Sequence, residues 1–379
     1  MTYDVVVVGL GAMGSATLAH VAGRGARALG VEQFSRAHEL GASAGRSRII
    51  RKAYFEDPAY VPLLRRAYEL WFRLERESEL QLLDLVGVLM VGTAESTAIA
   101  GALRSAREHD LRLEHFDAAA MVRRFAGIVP LADEVGLLEH DAGVVFPEAG
   151  IAAHLRIAEA AGAQTSFGVA VTGYAAERDG IRIALADGTT VLARAVALCA
   201  GPWLGRLAAE LDLPLRIQRN VQVWFTPSIP NFSRARFPAF FIDRNTFDRP
   251  LYGFPDFGEG VKAALHGYGV DTEPAQLDRS IGAGDIEPVR SALDAWMPGA
   301  ATTFAFAKAC MYALTPDEHF VVDRHPHDPR IVIAGGFSGH GYKFAPVIGE
   351  IVAGLALDGG TPHPIGFLRL ARERLIRPA

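Results

Sequence analysis

The 379-residue sequence contains only two cysteines, Cys199 and Cys310. So few thiols exclude a disulfide framework and a cysteine-rich zinc site, and they are typical of a protein of the reducing cytoplasm. Lysine and arginine together number 38, against 43 aspartate and glutamate residues. Because no basic excess is available to neutralise phosphates, a nucleic-acid partner is not expected.

Long apolar runs are also missing. No segment reaches the roughly 18 consecutive apolar residues of a membrane helix, so we expect no membrane partner. The first residues lack the basic region of a signal peptide, and Asp4 stands where that region would lie. We therefore expect a cytoplasmic protein without a secretory leader.

Glycine is present in excess, with 39 residues in a sequence that is 50% hydrophobic and 21% charged. That balance is typical of a folded globular protein, and the length favours about two or three domains. Abundant glycine indicates many tight turns, or backbone that approaches a ligand closely.

The N-terminal segment has the pattern of a nucleotide-binding βαβ unit. Residues 3–9 predict a buried parallel strand, residues 11–24 a helix of small residues, and residues 27–33 a second strand. The turn after the first strand has the sequence GLGAMG, a G-x-G-x-x-G motif. In such a motif the first glycine permits a tight turn, the second lets a pyrophosphate approach the backbone, and the third lets helix and strand pack.

We therefore assign Gly9, Gly11 and Gly14 to a cofactor site, together with Glu32 at the end of the second strand. Glu32 lies 23 residues after Gly9, where an acid accepts hydrogen bonds from an adenosine ribose. Its charge would repel a 2′-phosphate, which disfavours NADP and leaves NAD and FAD open.

The remaining pattern predicts an α/β (α+β) fold with two domains. Residues 150–163 predict a helix, residues 164–200 a β-meander, and residues 330–357 a strand, a glycine-rich loop and a helix. Residues 219–300 are rich in aromatic residues, with strand patterns and one helix near 286–296. The separated nucleotide-binding pieces predict one discontinuous domain, and the middle segments predict a second.

The late glycine-rich loop, residues 335–341, contains four glycines between an apolar strand and a helix that starts near Ala345. Such a loop can bring backbone N–H groups to the pyrimidine end of a flavin, where reduction leaves negative charge. An ordinary connection does not need so many glycines, so we interpret the loop as part of a ligand site.

A basic cluster follows the first unit and consists of Arg46, Arg48, Arg51 and Lys52. Two isoleucines interrupt it, so these residues cannot all share one solvated face. An arginine that faces inward needs an anion, and bidentate binding of a carboxylate is a common use of such a residue.

Three other patterns carry less weight. Residues 41–45, GASAG, match the G-x-S-x-G motif of serine hydrolases around Ser43, but the flanking residues lack the strand and helix which that motif needs. His325 and His327 are better explained by a solvated turn than by a metal site, so no metal is expected. On its context alone, Cys310 would be a buried apolar cysteine.

Five segments together resemble the flavin-dependent sarcosine oxidase family, which includes monomeric sarcosine oxidase, N-methyltryptophan oxidase and pipecolate oxidase. These segments are 9–32, 41–54, 252–266, 310–320 and 335–344. The last two contain CMYALTPDEHF and GGFSGHGYKF, which are the most specific motifs. The resemblance extends over most of the chain.

The resemblance implies an amine-oxidase architecture like that of D-amino-acid oxidase, with a Rossmann-like FAD-binding domain and a mixed-sheet substrate domain. We assign residues 1–85, 150–218 and 301–379 to the FAD-binding domain. Residues 86–149 and 219–300 then form the substrate domain. The family also favours a monomer.

The resemblance further implies that FAD is bound, with the Cys310 thiol joined to the 8α-methyl carbon of the flavin. This reverses the interpretation of Cys310 from its context alone. Cofactor contacts are also implied for Ser43, Arg48, Val169, Gly339, Gly341 and Lys343.

Substrate and oxygen sites follow from the same resemblance. Arg51 and Lys343 match the pair that grips the substrate carboxylate, and Lys262 matches the lysine at which oxygen is reduced. Tyr252, His266 and Tyr312 match residues that line the substrate cavity. We accordingly take Lys262, Arg48, His266 and Tyr252 as catalytic candidates, and Arg51, Lys343 and Tyr312 as substrate-binding candidates.

Two departures from the family pattern concern the same region. Family members commonly carry histidine where this sequence has Ala44, which removes a polar group near the flavin. The segment between Tyr252 and Lys262 is also one residue shorter than expected. Both differences bear on the shape and polarity of the cavity.

The implied reaction is oxidation of a secondary amino acid, N-methyl or cyclic, such as sarcosine. A hydride equivalent passes to FAD, O2 is reduced to H2O2, and the resulting imine hydrolyses. Three alternatives stay open: an FAD-dependent dehydrogenase that uses another acceptor, a flavin-binding protein without turnover, and a serine hydrolase that uses Ser43.

Overall fold

The computed structural model describes residues 2–376. These residues contain twenty strands, which are β1 (Thr2–Val8), β2 (Ala28–Glu32), β3 (Arg48–Ile50), β4 (Leu83–Asp84), β5 (Val88–Thr93), β6 (Glu114–Asp117), β7 (Glu134–Glu139), β8 (Gly143–Val145), β9 (Gln164–Phe167), β10 (Val171–Glu177), β11 (Gly180–Leu185), β12 (Thr190–Leu198), β13 (Arg216–Thr226), β14 (Ala239–Asp243), β15 (Leu251–Phe254), β16 (Val261–Leu265), β17 (Gly269–Asp271), β18 (Thr303–Leu314), β19 (Val321–Arg324) and β20 (Ile331–Gly335). They also contain nine α-helices, which are α1 (Ala12–Gly23), α2 (Val61–Ser78), α3 (Thr97–His109), α4 (Ala118–Arg124), α5 (Pro147–Ala160), α6 (Leu204–Leu207), α7 (Ala283–Trp296), α8 (Ala345–Asp358) and α9 (Glu373–Ile376).

The first sheet has eight strands, with β10-β11-β12-β1-β2-β9 as its main order and β20 beside the end of β12. β1 pairs in parallel with β2 and β12, and β20 pairs in parallel with β12. Val5 and Val7 of β1 belong to an apolar cluster with residues of α1 and α8, while Val6 and Val8 pack on the opposite face. Burial on both faces explains why four valines follow one another in this strand.

The second sheet has nine strands in the order β17-β13-β16-β15-β14-β5-β7-β6, with β18 also paired to β13. Leu89 and Val91 of β5 face a cluster that includes α7, whereas Val88 and Met90 face a cluster that includes α3. The two-residue alternation of the strand therefore supplies both cores.

A small third sheet, in the order β3-β8-β4, lies between these cores. Arg48, Ile49 and Ile50 of β3 pair with β8 in antiparallel register. Ile50 packs in the cluster of the first sheet, and Ile49 packs against that of the second. This short ladder fixes the backbone from which Arg48 and the following Arg51 extend.

Most predicted elements are confirmed. The N-terminal unit appears as β1, α1 and β2, the meander as β10 to β12, and the late strand, loop and helix as β20 and α8. The predicted helices 150–163 and 286–296 correspond to α5 and α7. The predicted α/β (α+β) class, with a Rossmann-like sheet and a second mixed sheet, is also confirmed.

The domain boundaries stay a prediction, and one strand crosses them. β18 falls in the segment 301–379 that we assign to the FAD-binding domain, yet it hydrogen-bonds to β13 of the second sheet along its length. A strand of 12 residues spans about 40 Å, so it can belong to one sheet and reach the other. At its end, the Ala313 carbonyl accepts a hydrogen bond from the Ser338 N–H of the late glycine-rich loop. Within residues 2–376, no helix combines the length and the apolarity needed to cross a membrane.

Candidate active site

A cavity of about 400 Å³ lies beyond the carboxyl ends of β1, β2, β12 and β20. The turns that follow these four strands supply much of its wall, and Tyr312 of β18 supplies part of the rest. Ligands of open α/β sheets bind at this edge, because the strand ends and helix starts leave backbone groups free there. The cavity is therefore the candidate cofactor site.

The three motif glycines are required for three different reasons. Gly9 has φ +86°, and a Cβ there would lie 2.6 Å from the Cys199 carbonyl oxygen. A Cβ on Gly14 would lie 1.7 Å from the Gly9 oxygen, so this glycine lets α1 pack against the turn. Gly11 borders the cavity, and the nearest atom to a Cβ placed there would be the Ser43 hydroxyl oxygen at 3.9 Å. The absence of a side chain at Gly11 therefore leaves the backbone open to a ligand.

The start of α1 also faces this cavity. Gly11 is its N-cap and provides no side-chain hydrogen bond to the first N–H groups. These groups and the positive end of the helix dipole suit a phosphate. An open glycine and an uncapped helix start at the cavity wall thus fit the pyrophosphate of a dinucleotide.

Glu32 is buried at the end of β2 and lines the same cavity. Its carboxylate accepts hydrogen bonds from the N–H groups of Leu10, at 2.8 Å, and Phe34, at 3.0 Å. Burial alone would raise the pKa of Glu32, but His38 and these two N–H groups outweigh it and lower the pKa. The side chain is therefore an anion at neutral pH and can accept hydrogen bonds from ribose hydroxyls.

The late glycine-rich loop packs against Tyr312. Gly339 has φ +78°, and a Cβ there would lie 2.4 Å from the Tyr312 ring. A Cβ on Gly341 would lie 2.5 Å from the Phe337 side chain. Glycine at 339 therefore allows the loop to lie close to β18, and glycine at 341 allows it to fold onto Phe337. Both glycines line the cavity.

Cys310 lies on β18, immediately before the residues 311–313 that line the cavity, and its side chain is buried. The Gln222 Nε2 donates a hydrogen bond to the Cys310 Sγ at 3.2 Å. Cys199 also lines the cavity and lies against the Gly9 turn, but burial raises the pKa of its thiol to about 12. A thiol held in its protonated form is a poor nucleophile, so Cys199 is a poor candidate for attachment.

Arg51 and Lys343 lie together over one aromatic ring. The Arg51 guanidinium carbon is 4.5 Å from the centroid of the Tyr54 ring, and the Lys343 Nζ is 5.1 Å from it. Arg51 donates to both carboxylate oxygens of Glu56 at 2.8 Å, and Lys343 donates to the His340 carbonyl oxygen at 2.7 Å. The inward arginine predicted from the sequence thus has its anion, but that anion belongs to the protein.

The same cluster shifts the titration of its members. Burial, and then the Arg51 guanidinium, lower the pKa of Lys343 to about 7. Burial alone would raise the pKa of Glu56, but Arg51 and other nearby cations lower it to about 2. At neutral pH the cluster therefore contains one fixed ion pair and one lysine that is close to losing its charge.

His340 holds in place the Tyr54 ring that both cations contact. The Tyr54 hydroxyl lies 2.5 Å from His340 Nδ1, and His340 Nε2 lies 3.0 Å from the Glu318 carbonyl oxygen. Since the carbonyl can only accept, Nε2 carries the proton and Nδ1 accepts from the tyrosine. Burial lowers the pKa of His340 to about 3, which keeps the ring neutral.

Tyr252, His266 and Tyr312 form a second group. The Tyr312 hydroxyl lies 3.5 Å from His266 Nδ1, and the ring centroids of Tyr252 and His266 are 6.1 Å apart. Burial lowers the pKa of His266 to about 4. The imidazole is therefore neutral at physiological pH, and this group adds polar contacts without a charge.

Lys262, on β16, is buried against the loop that precedes β3. Its Nζ donates to the Gly45 carbonyl oxygen at 2.6 Å, and to the Ser47 carbonyl and hydroxyl oxygens at 2.8 and 3.1 Å. Burial, and then the Arg48 guanidinium, lower the pKa of Lys262. The three oxygen acceptors act in the opposite direction, because they match the three N–H groups of the charged ammonium form.

Arg48 binds the carbonyl oxygens of the same loop. It donates to Ser47 at 2.9 Å, to Ala42 at 3.2 Å, and also to Ala44. Arg48 and Ser43 both line the cavity. The loop around Ala44 is thus fixed to the arginine by its backbone.

Ser43 does not lie on a hydrolase elbow. The residues before it form bends, and the next regular element is the short strand β3. A nucleophile elbow requires a strand before the serine and a helix after it. Within residues 2–376, no three histidine, cysteine, aspartate or glutamate side chains are grouped so that they could hold a metal ion.

Comparison with known proteins agrees with this geometry. A sequence model of the family described as FAD dependent oxidoreductase matches residues 4–355. The chain belongs to the FAD-dependent oxidoreductase family. Of its relatives, the monomeric sarcosine oxidase of Streptomyces avermitilis is 44% identical over 372 residues, which cover 97% of this chain and 96% of that protein. The N-methyl-L-tryptophan oxidase of Salmonella arizonae is 34% identical over 378 residues, covering 98% and 99%.

Solved structures show the same fold. NikD, described as an unusual amino acid oxidase essential for nikkomycin biosynthesis, has a TM-score of 0.85 and 26% identity, and 97% of each chain is covered. Glycine oxidase from Geobacillus kaustophilus has a TM-score of 0.82 and 19% identity, covering 98% and 99%. The architecture predicted for this FAD-dependent oxidoreductase is therefore the observed one.

The predicted cofactor residues occupy two positions relative to the cavity. Those that line it are Gly9, Gly11, Glu32, Ser43, Arg48, Gly339 and Gly341. Gly14, Val169, Cys310 and Lys343 lie next to lining residues; the Val169 N–H, for example, donates to the Glu32 carbonyl oxygen at 3.2 Å. Their individual roles toward FAD stay predictions.

Sequence reasoning missed four residues of this region, which are Tyr54, Glu56, Gln222 and His340. Tyr54 and His340 stand inside the quoted motifs, but nothing in the motifs shows that they pair. Glu56 follows the basic cluster and could have been proposed as its anion. Gln222 belongs to the alternation of Gln218, Asn220 and Gln222, which predicts a strand with one polar face.

Proposed function

We propose that this oxidoreductase oxidises a secondary amino acid, N-methyl or cyclic, with sarcosine as the simplest substrate, and passes the electrons to O2. For an N-methyl amino acid, the amino acid, O2 and water yield the demethylated amino acid, formaldehyde and H2O2. The observation that carries this proposal is the pair of buried cations, Arg51 and Lys343, which both contact the Tyr54 ring. The names of the relatives support the same substrate class.

The two cations would bind the carboxylate of the substrate. Arg51 already shares its guanidinium with Glu56, so the substrate anion either joins this pair or displaces it. Two cations around one carboxylate fix its position and orientation, as charge-assisted hydrogen bonds do. The amine end of the substrate is then directed toward the group formed by Tyr252, His266 and Tyr312.

FAD, when bound, supplies the two-electron acceptor for the C–H bond next to the nitrogen. The protein contributes orientation and electrostatics. Because His266 is neutral, it does not repel a substrate amine, and it can accept a hydrogen bond from an N–H group. The uncapped start of α1, the two glycine-rich segments and Arg48 would hold the cofactor.

We also propose covalent attachment of FAD at Cys310, a monomeric state and a cytoplasmic location. The geometry that supports attachment is the place of Cys310 on β18, immediately before the lining residues 311–313, with the Gln222 N–H directed at its sulfur. The monomeric state rests on the name of the relative from Streptomyces avermitilis.

The reaction is tested by adding candidate amino acids to the aerated holoenzyme and measuring H2O2. We expect peroxide with sarcosine, N-methylalanine, proline or pipecolate, and none with the corresponding amines that lack a carboxylate. Substrate-dependent bleaching of the flavin without peroxide would instead assign a dehydrogenase. A yellow protein that none of these compounds bleaches would contradict the proposed function.

Lys262 is proposed to assist the reduction of O2, because its buried Nζ lies near Arg48 and is fixed by the Gly45 and Ser47 oxygens beside the loop that lines the cavity. We expect Lys262→Met to slow reoxidation of the reduced flavin by about 100-fold or more, with a much smaller effect on reduction by substrate. Stopped-flow absorbance measures the two half-reactions separately. Equal slowing of both would contradict this role.

A further inference from the structure

One face of β13 is polar although it is buried. Gln218, Asn220 and Gln222 are only 5%, 4% and 1% exposed. They alternate with Arg219, which pairs with Asp285 of α7, and with Val221 and Val223, which face the core beside α7. A buried face built of amides costs free energy unless its groups are bonded, so such a face indicates a site rather than a core.

This polar face lies on the same side as Cys310. β13 and β18 are antiparallel, and Asn220 stands directly opposite Cys310 in their register. Side chains directly opposite each other on paired strands share a face. The thiol therefore extends from the same side as the three amides.

One of these amides is hydrogen-bonded to the thiol. The Gln222 Nε2 donates to the Cys310 Sγ at 3.2 Å, whereas the Asn220 Nδ2 donates to the Gln218 carbonyl and side-chain oxygens at 3.2 Å. The Gln222 Oε1 is buried and has no partner among the described residues. The Gln222 side chain is therefore fixed by the hydrogen bond from its Nε2 to the sulfur, and its Oε1 makes no hydrogen bond within residues 2–376.

Gly45 provides the room for this amide. Its φ is +120°, and a Cβ there would lie 2.1 Å from the Gln222 Oε1. The Gly45 carbonyl also accepts a hydrogen bond from Lys262. The loop that carries Gly45 therefore limits where the Gln222 side chain can lie, and this keeps its N–H directed at Cys310.

We infer that Gln222 is a positioning residue which orients the Cys310 sulfur and stabilises its anionic form for attachment to FAD. This inference rests on the proposed attachment at Cys310. An N–H donor makes a stronger hydrogen bond to a thiolate than to a thiol, and the thiolate is the nucleophile. A leucine or methionine at residue 222 would fill the space but leave the sulfur without this donor.

The attachment step balances with O2 as the oxidant. The Cys310 sulfur forms a bond to the 8α-methyl carbon, while the thiol loses its hydrogen and the methyl group loses one. These two protons and two electrons are transferred overall to O2, which becomes H2O2. Gln222 neither gains nor loses electrons or protons in this reaction, since it acts only through its hydrogen bond to the sulfur.

The test follows attachment directly rather than turnover. Protein from riboflavin-starved cells is mixed with FAD in air, and samples are precipitated with acid at intervals to measure flavin in the pellet. The dependence of the rate on FAD concentration yields a half-saturating concentration and a limiting rate. For Gln222→Met we expect a limiting rate about 10- to 100-fold below wild type, with the half-saturating concentration unchanged.

The matched control is Gln218→Met, which removes an amide from the same buried face without removing the donor to Cys310. In the wild-type protein, the Gln218 Nε2 donates to the Gly269 carbonyl oxygen at 3.4 Å and not to Cys310. We expect it to attach FAD at the wild-type rate. Equal slowing in both variants would mean that the amide row acts only through packing, and it would overturn the inference.

A limiting rate for Gln222→Met within about twofold of wild type would also overturn it. Should Gln222→Met not bind FAD, Gln222→Glu has the same shape and offers an oxygen in place of the donor, and the same comparison decides. Wild-type protein whose flavin stays soluble in acid would contradict the proposed attachment itself. That outcome is distinct, because it appears without any variant.

Discussion

Lys343 shows how neighbouring residues change the behaviour of one side chain. It is 5% exposed, and Arg51 stands on the same aromatic ring. Burial and Arg51 together lower its pKa to about 7, while the Glu56 carboxylate opposes them. Its charge is therefore fully present below pH 7 and is lost as the pH rises through 7.

Affinity for a carboxylate should follow that charge. For the holoenzyme we expect the dissociation constant of an unreactive carboxylate, such as acetate, to rise by up to about tenfold for each pH unit above 7. In Lys343→Arg the constant should stay flat between about pH 6 and 9, since arginine keeps its charge there. Perturbation of the flavin spectrum measures both. The same slope in both proteins would show that another group is responsible.

Close packing of α1 against α8 depends on small residues. A Cβ on Gly349 of α8 would lie 2.6 Å from the backbone carbon of Ala16 in α1. At the start of α1, Gly14 lets the helix lie against the Gly9 turn. The start of α1 at the cavity is thus set by how closely two helices and a turn approach one another.

Gly349→Ala should therefore lower the free energy of unfolding by about 1–3 kcal/mol, because the helices must move apart. Denaturant titration followed by circular dichroism measures this change. The control is Gly23→Ala at the end of α1, where a Cβ would meet nothing within 4 Å. The control should raise stability by up to about 1 kcal/mol. Equal effects of the two substitutions would contradict the packing argument.

At the scale of the whole molecule, the cavity joins segments that are distant in sequence. Its wall includes residues 8–13, 31–33, 199–203, 311–313 and 336–339. A ligand bound there contacts the ends of several strands of the first sheet and the end of β18 from the second. Binding of FAD should therefore stabilise the folded molecule, since the unfolded chain has no such site.

The covalent bond decides whether that stabilisation depends on free FAD. We expect the thermal midpoint of wild type to be unaffected by added FAD, because its cofactor cannot leave. In Cys310→Ala the midpoint should rise with FAD concentration, with about 2.7 kcal/mol gained at 100 times the dissociation constant. Differential scanning fluorimetry measures both. A wild-type midpoint that rises in the same way would contradict attachment at Cys310.

Local signals in the sequence predicted much of the first sheet and its cofactor edge. GLGAMG between a valine strand and a small-residue helix, followed by Glu32, needs only short-range geometry to be interpreted. The roles of Cys310, Lys343 and Lys262 came from the resemblance to a family, since their chemistry depends on neighbours far away in the chain. Glu56, Tyr54 and Gln222 were missed because each acts through a partner that only folding brings near.

The sequence by itself determined the class of fold, the dinucleotide edge and the residues that suit a dinucleotide, because alternation, helical period and glycine placement act over a few residues. Only the tertiary structure decided that β18 belongs to the second sheet, that Arg51 and Lys343 share the Tyr54 ring, and that Gln222 meets Cys310. Strand pairing over long sequence separations and the desolvation of buried charges depend on the whole packed chain. The physical reason is that burial and hydrogen-bond partners are properties of a place in the fold, not of a position in the sequence.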